Sequence, residues 1–360
     1  MRARKRPADA RSPPEEIMSS SYLIGLFWIL VAGVTQGAFT LPMKFVRRWK
    51  WEHLWLVYSV IAFFFLPWIV AWLTVPHLGA VYSRAPAHIL WLTALFGLGW
   101  GAGSVFFGLG VDALGMALGF SMMTGIYTAL GALVPMVVLT PDLIWTRNGF
   151  LILAGNAITI VGVVVQAVGG DLRDKQANKV EVQSLNPKIS FSAGLTICIL
   201  SGVLSGMLNF SYAFGKPIAE TAQQLGATPA NGLNALWLVA LPAGGVLNVG
   251  YCLYLMAKRR SWALVFRRTA PLDWLNAGVM SVLWTGSVIV YGWGADRLGR
   301  LGPSLGWSLW NALLIITTVV CGLLAHEWDG SEGRPLKLLL TGIALLIVAT
   351  VILGFGGAGG

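Results

Sequence analysis

Charge is scarce in this sequence. Of 360 residues only 11% are Asp, Glu, Lys or Arg, against about a quarter in an ordinary soluble domain, while 56% are hydrophobic. A soluble core of this length has no use for so much apolar surface. A bilayer does, since each crossing takes roughly 20 apolar residues to traverse about 30 Å of hydrocarbon. Cysteine is nearly absent too. Cys198, Cys252 and Cys321 lie far apart inside apolar runs, which argues against a disulfide framework or a thiolate metal centre and leaves them as small packing residues. The four histidines, His53, His77, His88 and His326, all fall near loops, so no buried His/Asp/Ser or metal cluster points to an enzyme or to a cofactor. A channel would show a repeated pore loop or a charged ring, and neither is present.

What charge there is leans basic, with a formal net charge of +10. It is scattered over short loops rather than gathered into a stripe, which argues against nucleic acid and matches the Lys and Arg bias that flanks membrane spans. Ten apolar runs cover approximately 22–43, 52–74, 88–109, 114–139, 148–169, 192–215, 231–256, 273–294, 302–325 and 336–355. All are expected to be helices, because an isolated strand leaves its backbone groups unpaired in lipid. Loops 44–51, 170–191, 257–272 and 326–337 hold 15 of the 25 Lys and Arg residues. The positive-inside rule makes that side cytoplasmic and both termini periplasmic. Residues 1–17 read as a disordered basic tail that pulls the other way, and Met18 offers an alternative start. The first run is long and polar-tipped, unlike a cleavable signal.

The chain also repeats itself. Trp100, Gly108, Gly110, Asp112, Leu114 and Gly115 recur in the same spacing as Trp284, Gly292, Gly294, Asp296, Leu298 and Gly299. A second echo relates Gly25, Gly33 and Gly37 to Gly194, Gly202 and Gly206. The fold class expected is therefore an all-α integral membrane protein of ten transmembrane helices, built as a five-plus-five inverted repeat. Residues 18–169 form one repeat, 170–191 a cytoplasmic linker, and 192–360 the second. Five crossings is an odd number, so the second copy enters the membrane upside down. Duplicated membrane halves are the mark of secondary transporters, whose site lies where the halves meet.

Several motifs then carry a resemblance. Gly25-Leu-Phe-Trp28, Pro42-Met-Lys44, Trp51-Glu52, Gly215-Lys216-Pro217 with Glu220, Leu225-Gly226 and Pro229, Asn248-Val-Gly250, Glu327-Trp328 and Arg334-Pro335 follow in order along the chain. Together they resemble the L-rhamnose–proton symporter family, of the ten-helix drug/metabolite transporter superfamily, over essentially everything after Met18. The resemblance implies uptake of a deoxy-sugar with a proton across the bacterial inner membrane, the partners being the sugar, the proton and the lipid, with no obligate protein partner. The alternative is a permease or exporter of another small metabolite on the same fold. Two positions depart from the family pattern: Gly302-Pro303-Ser304-Leu305-Gly306 stands where the family carries a polar, aromatic and acidic cluster, and Ile29 where it tends to carry a polar residue. The superfamily is usually drawn with cytoplasmic termini, opposite to the charge count.

A sugar needs hydroxyl-pairing groups and an aromatic face away from competing water. The mid-span polar candidates are Gln36, Tyr127, Asn209, Tyr212, Asn234 and Asn311, each of which could equally join helix to helix. Gln36 and Asn209 are near repeat mates and could face one another. Among the deep tryptophans, Trp100, Trp284 and Trp307 are candidates for stacking on a sugar, with packing as the competing role. Trp49, Trp51, Trp91, Trp145, Trp262, Trp274 and Trp328 read as interfacial anchors. No carboxylate lies mid-span, so the proton-coupling candidates are at span ends: Glu52, Glu220, Lys44 and Lys216. Asp112 and Asp296 fit a cap or turn after their spans.

Overall fold

A computed structural model of the chain describes residues 15–115, 119–176, 190–265, 271–326 and 328–356. Most of the expected basic tail, most of the linker, Glu327 and the side chain of Asp112 lie outside the described residues. Among the described residues, ten helices are long and apolar enough to cross a membrane: Ser20–Phe45, Trp51–Thr74, Ala87–Val111, Ser121–Leu139, Arg147–Arg173, Ser192–Gln224, Pro229–Lys258, Pro271–Arg297, Gly299–Leu324 and Arg334–Phe355. We number these spans one to ten. A short helix, Leu78–Arg84, joins the second to the third. The expected boundaries hold to within a few residues except at three places, one of them the fourth span, which begins at Ser121 rather than near 114. The third helix continues to Gly115, so Asp112 sits on a helix rather than in a turn, and Asp296 likewise precedes the last residue of its helix. The sixth span runs on to Gln224 after a break at Gly206.

Close helix approach sets the packing. The first span lies against the eighth and ninth, and the sixth against the third and fourth; the fifth pairs with the tenth, and the second with the seventh. Exchanging spans one to five with six to ten leaves these pairings unchanged. Glycine makes the approaches possible. A Cβ at Gly37 would collide with Thr317, and one at Gly244 would lie 2.5 Å from the Trp100 ring, as expected of small-residue helix contacts. Trp68, Trp72, Leu73, Trp91 and Leu95 are exposed and suit a lipid-facing surface. Trp49, expected as an anchor, is instead buried: its indole N–H donates to Leu264 O at 3.1 Å and its ring meets Trp274 edge-on.

Proline punctuates the spans and creates acceptors that other helices then satisfy. The second span makes a π-helical turn at Ile61–Phe65, where the Leu66 N–H reaches back to Ile61 O. The next N–H in that register would belong to Pro67, which has none. The orphaned Ala62 carbonyl accepts from Thr285 Oγ1 of the eighth span at 2.9 Å. In the fourth span Pro135 similarly deprives the Gly131 carbonyl of its helical partner, and Asn209 Nδ2 supplies the missing donor at 2.7 Å.

Candidate functional site

The two ends of the bundle differ. At the end that carries the first residues of the first span and the last of the tenth, where Tyr22 OH donates to Gly354 O, a cleft of about 180 Å³ opens. Its walls are Pro135, Met136 and Thr140 of the fourth span and its exit, Ala213 and Lys216 of the sixth, and Arg300, Pro303 and Ser304 at the start of the ninth. Across this end Arg300 holds Asp142 through two bonds of 2.7 and 2.9 Å, both side chains exposed. Lys216 is half-buried, its ammonium 5.5 Å from the Tyr212 ring centroid. Pro217 cannot return the N–H that the Ala213 carbonyl would take in a regular helix, so an acceptor is left on the cleft wall.

Below the cleft lies an aromatic cluster. Tyr212 is fully buried, stacked on Trp237 (6.1 Å, 14°) and edge-on to Tyr291. Tyr291 stacks on Trp310 at 4.7 Å, and Trp307 packs edge-on against both. Trp307 also donates its indole N–H to Tyr127 O at 3.3 Å. Asn209 ties the cluster together: its amide donates to Gly131 O and Pro303 O, and its oxygen accepts from Tyr291 OH at 2.6 Å. Both of its donors are therefore used, and it does not face Gln36, whose own Oε1 is buried without a partner. Asn311 turns back to Trp307 O in its own helix. Midway along the third and eighth spans the repeat mates Trp100 and Trp284 stack on each other at 5.3 Å, with Phe63 of the π-helical turn edge-on to both.

Among the described residues, the opposite end is sealed by buried polar contacts. Glu52, with no exposed surface, accepts from Arg259 at 2.8 Å. His53 Nε2 lies 2.9 Å from Ser261 O. The buried carboxylate of Asp273 accepts three backbone N–H groups, from Arg47, Arg48 and Trp49. This binds the exit of the first span to the start of the eighth. Of the coupling candidates, Glu52 belongs to this seal and Lys216 to the cleft, while Lys44 and Glu220 are exposed. Arg259 is not among the candidates that the sequence offers. Arg259 reads as one more loop cation, and its partner lies 207 positions away.

An all-helical multi-pass membrane protein with a cleft at one end and an ion-paired seal at the other belongs to the class of membrane carriers. The family profile described as L-rhamnose-proton symport protein (RhaT) matches residues 18–359, and the chain belongs to that family. A relative from Cronobacter sakazakii, an L-rhamnose-proton symporter, is 30% identical over 351 residues, covering 94% of this chain and 99% of the relative. An Escherichia coli protein of the same description is 29% identical over 346 residues, with the same coverage.

Proposed function

We propose that this chain takes up L-rhamnose or a related deoxy-sugar together with a proton across the bacterial inner membrane. The observation that carries the reading is family membership over nearly the whole length, joined to a cleft at one end of the bundle and a seal at the other. In this reading residues 18–169 and 192–360 are the two inverted repeats, and the exchange-invariant helix pairing supports them. The basic loops make the sealed end cytoplasmic and both termini periplasmic. The cleft then faces the periplasm, as an outward-facing carrier requires. Lys216 and Tyr212 line the way from the cleft to the aromatic cluster. Trp100 and Trp284, stacked where the halves meet, are the surface on which the repeats rock. Asn209, Asn311 and Trp307 position that cluster. Glu52 is the coupling group this arrangement favours over Glu220 and Lys44, because neutralising it releases Arg259 and loosens the seal.

The test is uptake of labelled L-rhamnose by a transport-deficient bacterial strain expressing the chain, with and without a protonophore. Accumulation that collapses with the protonophore is the expected result. Failure to accumulate the sugar, with the protein present in the membrane, overturns the reading and favours another metabolite on the same fold.

A further inference from the structure

Beside the aromatic cluster, and separate from the cleft, a narrow crevice runs between the second, seventh and eighth spans. It is lined by Pro67, Val70, Asn234, Trp237, Leu241, Thr285 and Ile289, and has no room for a water molecule in this conformation. Two of these residues bring unsatisfied groups to it. Asn234 is 3% exposed and Trp237 2%, yet Asn234 Oδ1 and Trp237 Nε1 have no hydrogen-bond partner. Tyr212, stacked on Trp237, has a buried hydroxyl in the same condition.

The orientation of the Asn234 amide follows from its neighbour. Thr74 Oγ1 spends its proton on Val70 O at 2.6 Å and so acts as acceptor for Asn234 Nδ2 at 2.9 Å. Oδ1 is therefore the free end. Buried donors and acceptors are nearly always satisfied, by protein or by ordered water. A crevice too tight for water excludes the second remedy. None of its lining residues is charged, so it suits a neutral ligand that brings hydroxyls to one side and hydrocarbon to the other. The π-helical turn and Pro67 make the second span locally irregular beside the crevice, which is where a helix bends most easily.

We propose that this crevice, once the second span moves aside, holds the ring of a 6-deoxy-hexose. Asn234 Oδ1 accepts from one ring hydroxyl and Trp237 Nε1 donates to another. Pro67, Val70, Leu241 and Ile289 receive the methyl group. The apolar wall thus makes the site selective for a sugar lacking the hydroxyl at C6. This assignment rests on the sugar-uptake reading above and names its contacts.

The experiment is exchange of labelled L-rhamnose in proteoliposomes of the purified chain, with L-mannose, which differs only by that hydroxyl, as competitor. Trp237→Phe keeps an aromatic ring and removes the donor; Asn234→Leu keeps the bulk and removes the acceptor together with the amide hydrogen bond to Thr74. Each is expected to raise the half-saturating L-rhamnose concentration about fivefold to tenfold, the worth of one lost hydrogen bond. Ile289→Ser is expected to shrink the preference for L-rhamnose over L-mannose by about threefold or more. A merely misfolded carrier loses both sugars in parallel and leaves that preference unchanged. Exchange by the parent protein with unaltered half-saturation in the first two variants, or with unaltered preference in a third variant that exchanges L-rhamnose as fast as the parent, overturns the crevice assignment alone. A parent protein that exchanges neither sugar overturns it together with the sugar-uptake reading.

Discussion

The seal between Glu52 and Arg259 sets a measurable bias. Removing one partner of a fully buried ion pair costs about 3–5 kcal/mol, because the other charge is left without compensation. Here Glu52 has no exposed side-chain surface, but Arg259 is 43% exposed, so water already screens part of the attraction. A loss of about 2 kcal/mol for Arg259→Gln is the consistent figure, which raises the population of the opened seal about thirtyfold. Glu52→Gln keeps an oxygen for the guanidinium and loses only the charge assistance, about 1 kcal/mol or fivefold. The double variant leaves no buried charge at all, so it should resemble Glu52→Gln and fall below Arg259→Gln. Cys252 can report the opening. It is fully buried and lies seven residues, about two helical turns, before Arg259, on the same helix face. With Cys198 and Cys321 replaced by alanine, maleimide labelling of Cys252 in membranes measures how often the seal opens. An Arg259→Gln labelling rate equal to that of the parent, or single-variant effects that simply add in the double variant, would refute the latch.

Two further outcomes rest on packing. Asn209→Leu strands the Tyr291 hydroxyl and two carbonyls, one of them already orphaned by Pro135, and should lower stability by about 2–4 kcal/mol. Thermal unfolding in detergent would detect this, and an unchanged midpoint would mean water replaces the amide. Gly244→Ala places a methyl group 2.5 Å from both the Trp100 ring and Gly97 O. The third and seventh spans must then part, at a cost of about 1–3 kcal/mol. The same substitution at Gly79, which has open space around it, should leave the melting temperature unchanged or slightly raised.

The membrane class, the ten spans and the family were legible in the sequence because they depend on hydropathy, which accumulates locally over about 20 residues, and on motifs spread along the chain. The spacing of the chain also pairs Trp100 with Trp284, and their rings stack. The roles of the polar residues were not legible. Asn209 looked like a sugar ligand by its depth, but two carbonyls and a tyrosine hydroxyl claim it. Trp237 looked like any span tryptophan, yet its indole N–H is the one left over beside Asn234. Lys216, a coupling candidate by its place at a span end, lines the cleft under the start of the ninth span. In each case the side chain's depth follows from its position along one helix, whereas its partner is chosen by which face of another helix packs against it. For Asn209 that choice is fixed by contacts across 78 to 94 positions of chain, and for Glu52 and Arg259 across 207. Hydropathy and spacing carry no record of such contacts, so the tertiary structure alone decided them.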